Sequence, residues 1–315
     1  MKDRLKKSLK KNLEFVIFLY IFNNILIHIR RSLKNIKTTS GSTHQSLPLK
    51  DSIQYITGVF TDYQRVSDQK TFKGKLAELG PGDSNGVALL FLAHGASHVD
   101  LADRFYSVRD DFHHTEIEQY LVKKYPSLKK FYPKFNQYCV RYYGQEASGE
   151  HFFDIHQSYD HIISRSVLEH VDDPELVLRK MYGALNPSGM LIHKVDLRDH
   201  GMLTPLNHSL RFLEIPEFFY KLMTYGSGYP NRFLFHKYRE VLTALNPSTK
   251  FYVAGLHGVD PFDAIYPIEA IPTLLKTKAI SFVNEHRHKF SKEFSNLPAE
   301  DLIISSFFFV CKKKI

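Results

Sequence analysis

From about residue 51 onward, short apolar runs alternate with helical stretches. Residues 75–79 predict a short strand running into a glycine-rich turn, with a helix over 87–94 behind it. A strand at 98–102 follows, then a polar and aromatic insert over 104–136 and a strand at 138–143. Residues 161–164 read as a strand of the fully buried kind, with 167–170 opening a helix behind it. The next helix has a clear start: Asp173 is its N-cap, Pro174 takes the first helical position, and Glu175 suits the positive dipole end. It runs to about Leu185 and stops at Asn186-Pro-Ser-Gly189, after which 190–195 form another buried strand. Residues 251–255 and 302–310 predict two closing strands. Strands alternating with helices at this spacing argue an α/β fold, a mostly parallel sheet with helices on both faces.

Ahead of this pattern the chain is different. Residues 13–29 form an apolar run interrupted by Glu14, Asn23, Asn24 and His28, which is short and impure for a spanning helix. No small-residue cleavage site follows it, and positive charge flanks both sides. A basic N-terminal helix over 1–37 lying on an anionic membrane surface fits better, with Phe15, Phe18, Leu19, Phe22, Leu26 and Ile29 as its apolar stripe. Ile17 and Ile21 interrupt the polar face, and a helix packed on the domain or on a second subunit is the other reading. Residues 38–50 read as a linker, and 51–315 as the folded domain.

Charge supports this division. The formal net charge is +9, yet residues 1–37 alone hold ten Lys and Arg against Asp3 and Glu14, while residues 38–311 are close to neutral. A basic footprint confined to the termini argues against a nucleic-acid partner. With 43% hydrophobic and 24% charged residues the chain is not disordered, and its two cysteines, Cys139 and Cys311, exclude a disulfide framework and favour a reducing compartment.

The segment richest in chemistry is Glu78-Leu-Gly80-Pro-Gly82-Asp-Ser84, leaving a strand and entering a helix. Gly80 and Gly82 permit close backbone approach to a ligand. Asp103 closes the next strand 21 residues after Gly82, where a carboxylate binds ribose hydroxyls in dinucleotide-type folds. Asp100 competes, but alternation places Asp103 nearer the strand end. Together with Asp160…Leu168-Glu-His170 and Asn186-Pro-Ser-Gly189, this order resembles the class I S-adenosylmethionine-dependent methyltransferases over about residues 72–310. A narrower similarity, carried by His193-Lys-Val-Asp-Leu-Arg-Asp-His-Gly201, is to a bacterial subgroup associated with surface-glycan biosynthesis. The third glycine of the family's first motif is Ser84 here.

The resemblance implies a Rossmann-like, mostly parallel seven-stranded sheet and S-adenosylmethionine as cofactor. Glu78 would hold the methionine amino group, Gly80 and Gly82 would line the methionine part, and Asp103 would bind the ribose. Gln145, with Glu146 and Glu150 as alternatives, would lie by the adenine. Ser164 and Arg165 would face cofactor and substrate. Beyond strand five, Asp196, Arg198, Asp199 and His200 crowd the carboxyl end where ligands bind. His200 is the candidate general base, oriented by Asp196 or Asp199, with Arg165, His170 and Arg198 toward the acceptor. An Asp196–Arg198 salt bridge is the simpler reading of that pair. None of the 17 histidines shows a tight metal-ligand spacing, so no metal site is expected.

Residues 202–249 form a long connection rich in aromatics (Phe212, Phe218, Phe219, Tyr220, Tyr225, Tyr229, Phe233 and Phe235), which suits an acceptor-binding cap or a small helical cap with an aromatic core. The resulting expectation is a cytoplasmic enzyme, peripheral on the inner membrane face, that methylates an oxygen of a glycan or lipid-linked sugar precursor. A small-metabolite or lipid-amine acceptor is one alternative. A non-catalytic, membrane-tethered cofactor-binding domain is another.

Overall fold

The computed structural model describes residues 12–33, 37–38, 44–203, 208–260, 262 and 264–314. In chain order the main elements are α1 (Leu13–Leu33), α2 (Leu49–Ser67), β1 (Gly74–Leu79), α3 (Gly86–Ala93), β2 (Ala96–Asp103), α4 (Asp111–Lys124) and β3 (Cys139–Tyr143). There follow β4 (Tyr159–Arg165), α5 (Pro174–Ala184), β5 (Leu185–Asp196), α6 (Glu217–Thr224), α7 (Phe235–Leu245), β6 (Lys250–Leu256), β7 (Tyr266–Pro267), α8 (Thr273–His286) and β8 (Ile304–Lys312).

Eight strands make one sheet in the order β3-β2-β1-β4-β5-β8-β6-β7. The five from β3 to β5 are mutually parallel, and β8 runs antiparallel between β5 and β6. Strand order reverses beside β1, which opens a crevice beyond the carboxyl ends of β1 and β4. The predicted seven strands are all present. The eighth, β7, is a two-residue edge pair with β6 that carries no alternating pattern of its own.

Each face of the sheet has its own core. On one side Ile56, Phe60 and Tyr63 of α2 and Leu90 and Phe91 of α3 pack against Leu76 and Val99. On the other, Leu178 and Met181 of α5 and Tyr238 of α7 pack against Ile162 and Phe307. Full burial of each such side chain contributes roughly 1.5–3 kcal/mol. Helix α5 starts as the sequence predicts: the Asp173 carboxylate accepts from Leu176 N at 3.0 Å, with Pro174 in the first position.

Two sequence expectations change. Residues 44–50 are not a free linker: His44–Ser46 form a helical turn, His44 is buried, its N–H donates to Asp83 at 2.9 Å, and its ring meets Tyr55. The insert 104–136 holds α4, capped by Asp110, whose carboxylate accepts from Phe112 N and His113 N.

Helix α1 packs on the domain, as the second reading offered for it has it. Val16 is buried, and Leu13, Ile17, Tyr20 and Ile21 lie on the domain core, so the isoleucines that interrupt a polar face are packing residues. Asn24 donates to Leu222 O and Tyr225 O, Asn23 to Tyr229 Oη, and Tyr20 to Met202 O. These contacts seat α1 on α6. The opposite side of α1 carries Phe18, Leu19, Phe22, Ile25 and Ile29 into solvent, whereas Phe15 and Leu26 of the predicted stripe are half-buried. Among the described residues no helix is long and apolar enough to cross a membrane. The basic positions 2–11 and 34 lie outside the described residues.

Candidate active site

At the carboxyl ends of β1 and β4 lies a cavity of about 430 Å³. Gly80, Pro81, Gly82 and Asp83 form one wall, Asp103, Arg104 and Phe105 a second, and Arg165, Ser166, Val167, His170, His200 and Gly228 the opposite side.

The loop after β1 is shaped for a ligand. Gly80 holds φ +67°, and a Cβ there would lie 2.3 Å from Val167 Cγ2, so any side chain would both strain the turn and close the space. Arg141, on β3, braces this loop by donating to Gly82 O at 2.9 Å and Asn85 Oδ1 at 2.6 Å. Ser84, standing at the family's third glycine, turns its hydroxyl to accept from Gly86 N at 3.1 Å. The close helix approach that a glycine permits is made two residues later, where a Cβ on Gly86 would sit 2.3 Å from Ile56 of α2.

Two carboxylates flank the loop. Glu78, on β1, is buried and is not itself among the cavity's lining residues, and its Oε2 has no hydrogen-bond partner. Burial pushes its carboxyl up to about 7 from an ordinary 4.5, with the Arg141 charge offsetting part of the effect. Asp103 lines the cavity, accepts from Phe105 N at 3.0 Å, and is likewise raised by burial to about 6. Asp100 lies elsewhere, beneath the sheet, where Lys75, His98 and Tyr159 surround it. Burial alone would raise its carboxyl, but hydrogen bonds from His98, Tyr159 and Lys75 hold it well below the usual range.

The opposite side is built by the turn after β4 and the loop after β5. His170 and His200 line the cavity with ring centroids 4.7 Å apart at 72°. Behind them Glu169, 1% exposed, has Oε1 3.6 Å from His200 Nε2 and accepts from Asp196 N at 3.2 Å. His170 is lowered to about 4 by burial and then by the His200 charge, so it is neutral at pH 7. For His200, burial acts downward, but the Glu169 and Asp196 carboxylates outweigh it and hold the ring above its ordinary value.

Several predicted site residues lie elsewhere. Gln145 and Glu146 are exposed, because the chain after β3 turns through a short helical segment that brings Ala147–Glu150 to the cavity instead. Glu150 is there, accepting from Asp172 N at 2.8 Å. Ser164 faces into the sheet, its hydroxyl 2.7 Å from the buried His193 Nδ1, and is not a lining residue. Asp196 is held by Arg198, whose Nε donates at 2.8 Å, and neither lines the cavity: the salt-bridge reading holds, and the carboxylate beside His200 is Glu169. Asp199 accepts from the backbone of Gly201 and Leu203, fixing the loop. Arg165 reaches the cavity wall while donating to Asp62 at 2.8 Å. None of the eight aromatic residues named in that connection lines the cavity: Phe212, Tyr220 and Phe235 are buried, Phe235 against Phe251 and Phe307 of the sheet, and Phe218, Phe219 and Tyr225 are exposed. Of the three residues offered for the adenine side, Glu150 is the one that lines the cavity, whereas Arg104 and Glu169 were given no role in the sequence, although Glu169 stands inside the Leu-Glu-His motif itself.

A glycine turn free of side chains, an unpaired buried carboxylate beside it and a second carboxylate on the next strand fit a ligand with an ammonium group and a ribose. This fold and site define an α/β protein with a nucleotide-type cofactor pocket. The chain belongs to the methyltransferase-domain family, whose model matches residues 54–227. It is an S-adenosylmethionine-dependent methyltransferase. Similar solved structures include the YcgJ protein from Bacillus subtilis (13% identity, 83% of this chain and 99% of that one, TM-score 0.41). Phosphoethanolamine N-methyltransferase 2 from Haemonchus contortus is 14% identical over 84% of this chain and 53% of that one (TM-score 0.42). An O-methyltransferase family protein from Burkholderia thailandensis is 8% identical over 84% and 58% (TM-score 0.38). No curated protein sequence matches the chain.

Proposed function

We propose that the enzyme methylates a hydroxyl oxygen of a glycan or lipid-linked sugar precursor while seated on an anionic membrane surface. When bound, S-adenosylmethionine supplies an electrophilic methyl group. Glu78 would pair with its ammonium, Asp103 would accept from the ribose hydroxyls, and Gly80 and Gly82 would leave room for the methionine. The enzyme's remaining task is to align the acceptor oxygen and let its proton leave. Arg165, His170 and His200 form the wall on which that oxygen would sit.

One observation carries the membrane reading. The exposed side of α1 (Phe18, Leu19, Phe22, Ile25, Ile29) adjoins that of α6 (Phe218, Phe219, Leu222, Tyr225), because Asn24 ties α1 to Leu222 and Tyr225. An apolar patch built from nine large side chains marks an interaction surface. It leads to the cavity: the turn after Tyr225 brings Gly228 to the cavity wall, and Asp172 fastens that turn by accepting from Gly226 N at 2.7 Å and from Arg104 at 2.9 Å. The ten bases of residues 1–37 supply the attraction to anionic lipid.

Because Val16, Tyr20 and Asn24 hold α1 on the domain, the test replaces exposed positions and leaves the helix in place. The triple variant Phe18→Ser, Phe22→Ser, Ile25→Ser should keep its fold and its affinity for S-adenosylmethionine but lose flotation with vesicles containing phosphatidylglycerol. Wild-type flotation should also weaken with salt. Unchanged flotation of the variant, or equal binding to neutral phosphatidylcholine vesicles, would refute the tether. Transfer of radiolabel from methyl-labelled S-adenosylmethionine into acid-stable sugar of a lipid extract tests the acceptor class.

A further inference from the structure

We infer that Glu169, His170 and His200 form a binding site for one divalent transition-metal ion at the acceptor end of the cavity. The inference deepens the hydroxyl-methylation reading and rests on it for the ion's role. Sequence spacing gave no sign of such a site, since His200 is 30 residues from His170. The fold brings the three together: one ligand atom from each lies within 4.8 Å of the others.

Three features set this cluster apart from an ordinary buried polar contact. First, Glu169 Oε2 and His170 Nδ1 are both buried without a hydrogen-bond partner. Unsatisfied buried polar atoms are rare in folded proteins and costly to keep, and two in adjacent residues on one wall call for a ligand. Second, His200 holds φ +48°, a left-handed conformation uncommon for a residue with a side chain, and this turn sets its ring against His170. Third, the cluster has one open side. Both imidazoles line the cavity while Glu169 closes the back, so three protein ligands would leave a coordination position facing the cavity. That is the arrangement of catalytic metal sites, as opposed to closed structural ones.

The donor set selects the ion. Two imidazoles and one carboxylate suit Zn²⁺, Co²⁺, Mn²⁺ or Fe²⁺, whereas Mg²⁺ and Ca²⁺ favour all-oxygen sites. An ion here would take the acceptor's hydroxyl oxygen in its open position and make that hydroxyl more acidic. The O–H bond then breaks with its electron pair kept on oxygen, and the proton passes to solvent water. The oxygen would then bond to the methyl carbon of S-adenosylmethionine as the methyl–sulfur bond breaks with its electron pair on sulfur, releasing S-adenosylhomocysteine, while Glu169, His170 and His200 would act only as ligands to the ion.

The experiment uses the full-length protein stripped with chelator and dialysed against Co²⁺, with bound metal measured per chain, the visible absorption recorded, and Zn²⁺ added as competitor. S-adenosylmethionine is titrated by calorimetry on the same samples. The expected result is one Co²⁺ per chain with visible ligand-field bands that Zn²⁺ abolishes. Losing even an outer partner of a metal ligand costs about 10–100-fold in affinity, so His200→Ala should bind Co²⁺ at least that much more weakly while binding the cofactor as wild type does. Glu169→Gln should do the same. If that buried change prevents folding, His200→Ala decides alone. Wild type that binds S-adenosylmethionine but no stoichiometric Co²⁺ overturns the metal site and leaves the transferase reading standing. Co²⁺ bound equally by His200→Ala also overturns it. Folded protein that binds metal but no S-adenosylmethionine counts instead against the cofactor site.

Discussion

Glu78 is held at a cost that the apo protein should reveal. Its carboxyl lies at about 7 in the fold against an ordinary 4.5. Each tenfold in proton affinity is worth about 1.36 kcal/mol, so ionising this group inside the fold rather than in the unfolded chain costs about 3 kcal/mol above pH 7. The direction follows from the raised value. The neutral carboxyl is compatible with burial, and the stability it confers is complete below about pH 4.5 and lost as pH rises through about 7. Glu78→Gln keeps the shape and removes the charge, and should therefore stabilise the apo protein at pH 8 by about 3 kcal/mol. With an unfolding entropy of about 2.1 cal/mol/K per residue, that is a rise in Tm of about 4–5 °C for this chain. At pH 5 the difference should shrink to under about 1 kcal/mol. The same variant should lose S-adenosylmethionine binding, since the ligand's ammonium has no carboxylate to meet. In wild type the affinity should fall at least about tenfold from pH 8 to pH 6 as Glu78, and then Asp103, take up their protons. Scanning calorimetry at the two pH values and isothermal titration of the cofactor check both halves. A variant that melts no higher than wild type at pH 8 refutes the burial argument, and one that keeps wild-type affinity refutes the pairing.

Two further predictions concern the same cavity. Asp103→Ala removes an acceptor for two ribose hydroxyls, and with charged hydrogen bonds contributing about 1.5–3 kcal/mol each, S-adenosylmethionine affinity should fall at least about tenfold with folding intact; unchanged affinity by calorimetry would show that the ribose lies elsewhere. Gly80→Ala should destabilise the protein and block the cofactor, because its Cβ meets Val167 Cγ2 at 2.3 Å in a left-handed turn. Adding Val167→Ala should restore part of the stability lost to the clash, but not the part lost to the backbone conformation, as read by thermal melts.

Much of the central sheet was legible because its signals are local. The strand at 75–79, the Asp173-Pro174 cap and the run from 190 to 195 each announce themselves within a few residues, and β1, α5 and β5 lie there. Helix α2 was not assigned from the sequence, although Ile53, Ile56, Val59, Phe60 and Tyr63 recur at helical spacing, because the polar stretch before Leu49 hides its start. The acceptor end of the site was harder to read because it depends on long-range geometry. Nothing in the spacing of Glu169 and His200 says that a one-turn helix and a left-handed residue will bring them within 3.6 Å. Ser164 and Gln145 show the converse. Both stand at the right distance from a motif, but one faces the sheet interior toward His193 and the other is turned outward by the helical segment after β3.

The position of β8 has a consequence for how the chain reaches this state. The parallel strands β3-β2-β1-β4-β5 are contiguous in space and complete by residue 196, so this half of the sheet can assemble as the chain emerges from the ribosome. Strand β6 emerges some fifty residues later with no place to dock, because the strand that joins it to β5 is Ile304–Lys312. Throughout that interval the unpaired edge of β5 and an apolar β6 are both open to solvent or to other chains. The closing strand, with Phe307, Phe308 and Phe309 fully buried, then stitches both together in one late, non-local step. Completion of the sheet thus waits on the last residues of the chain to be made.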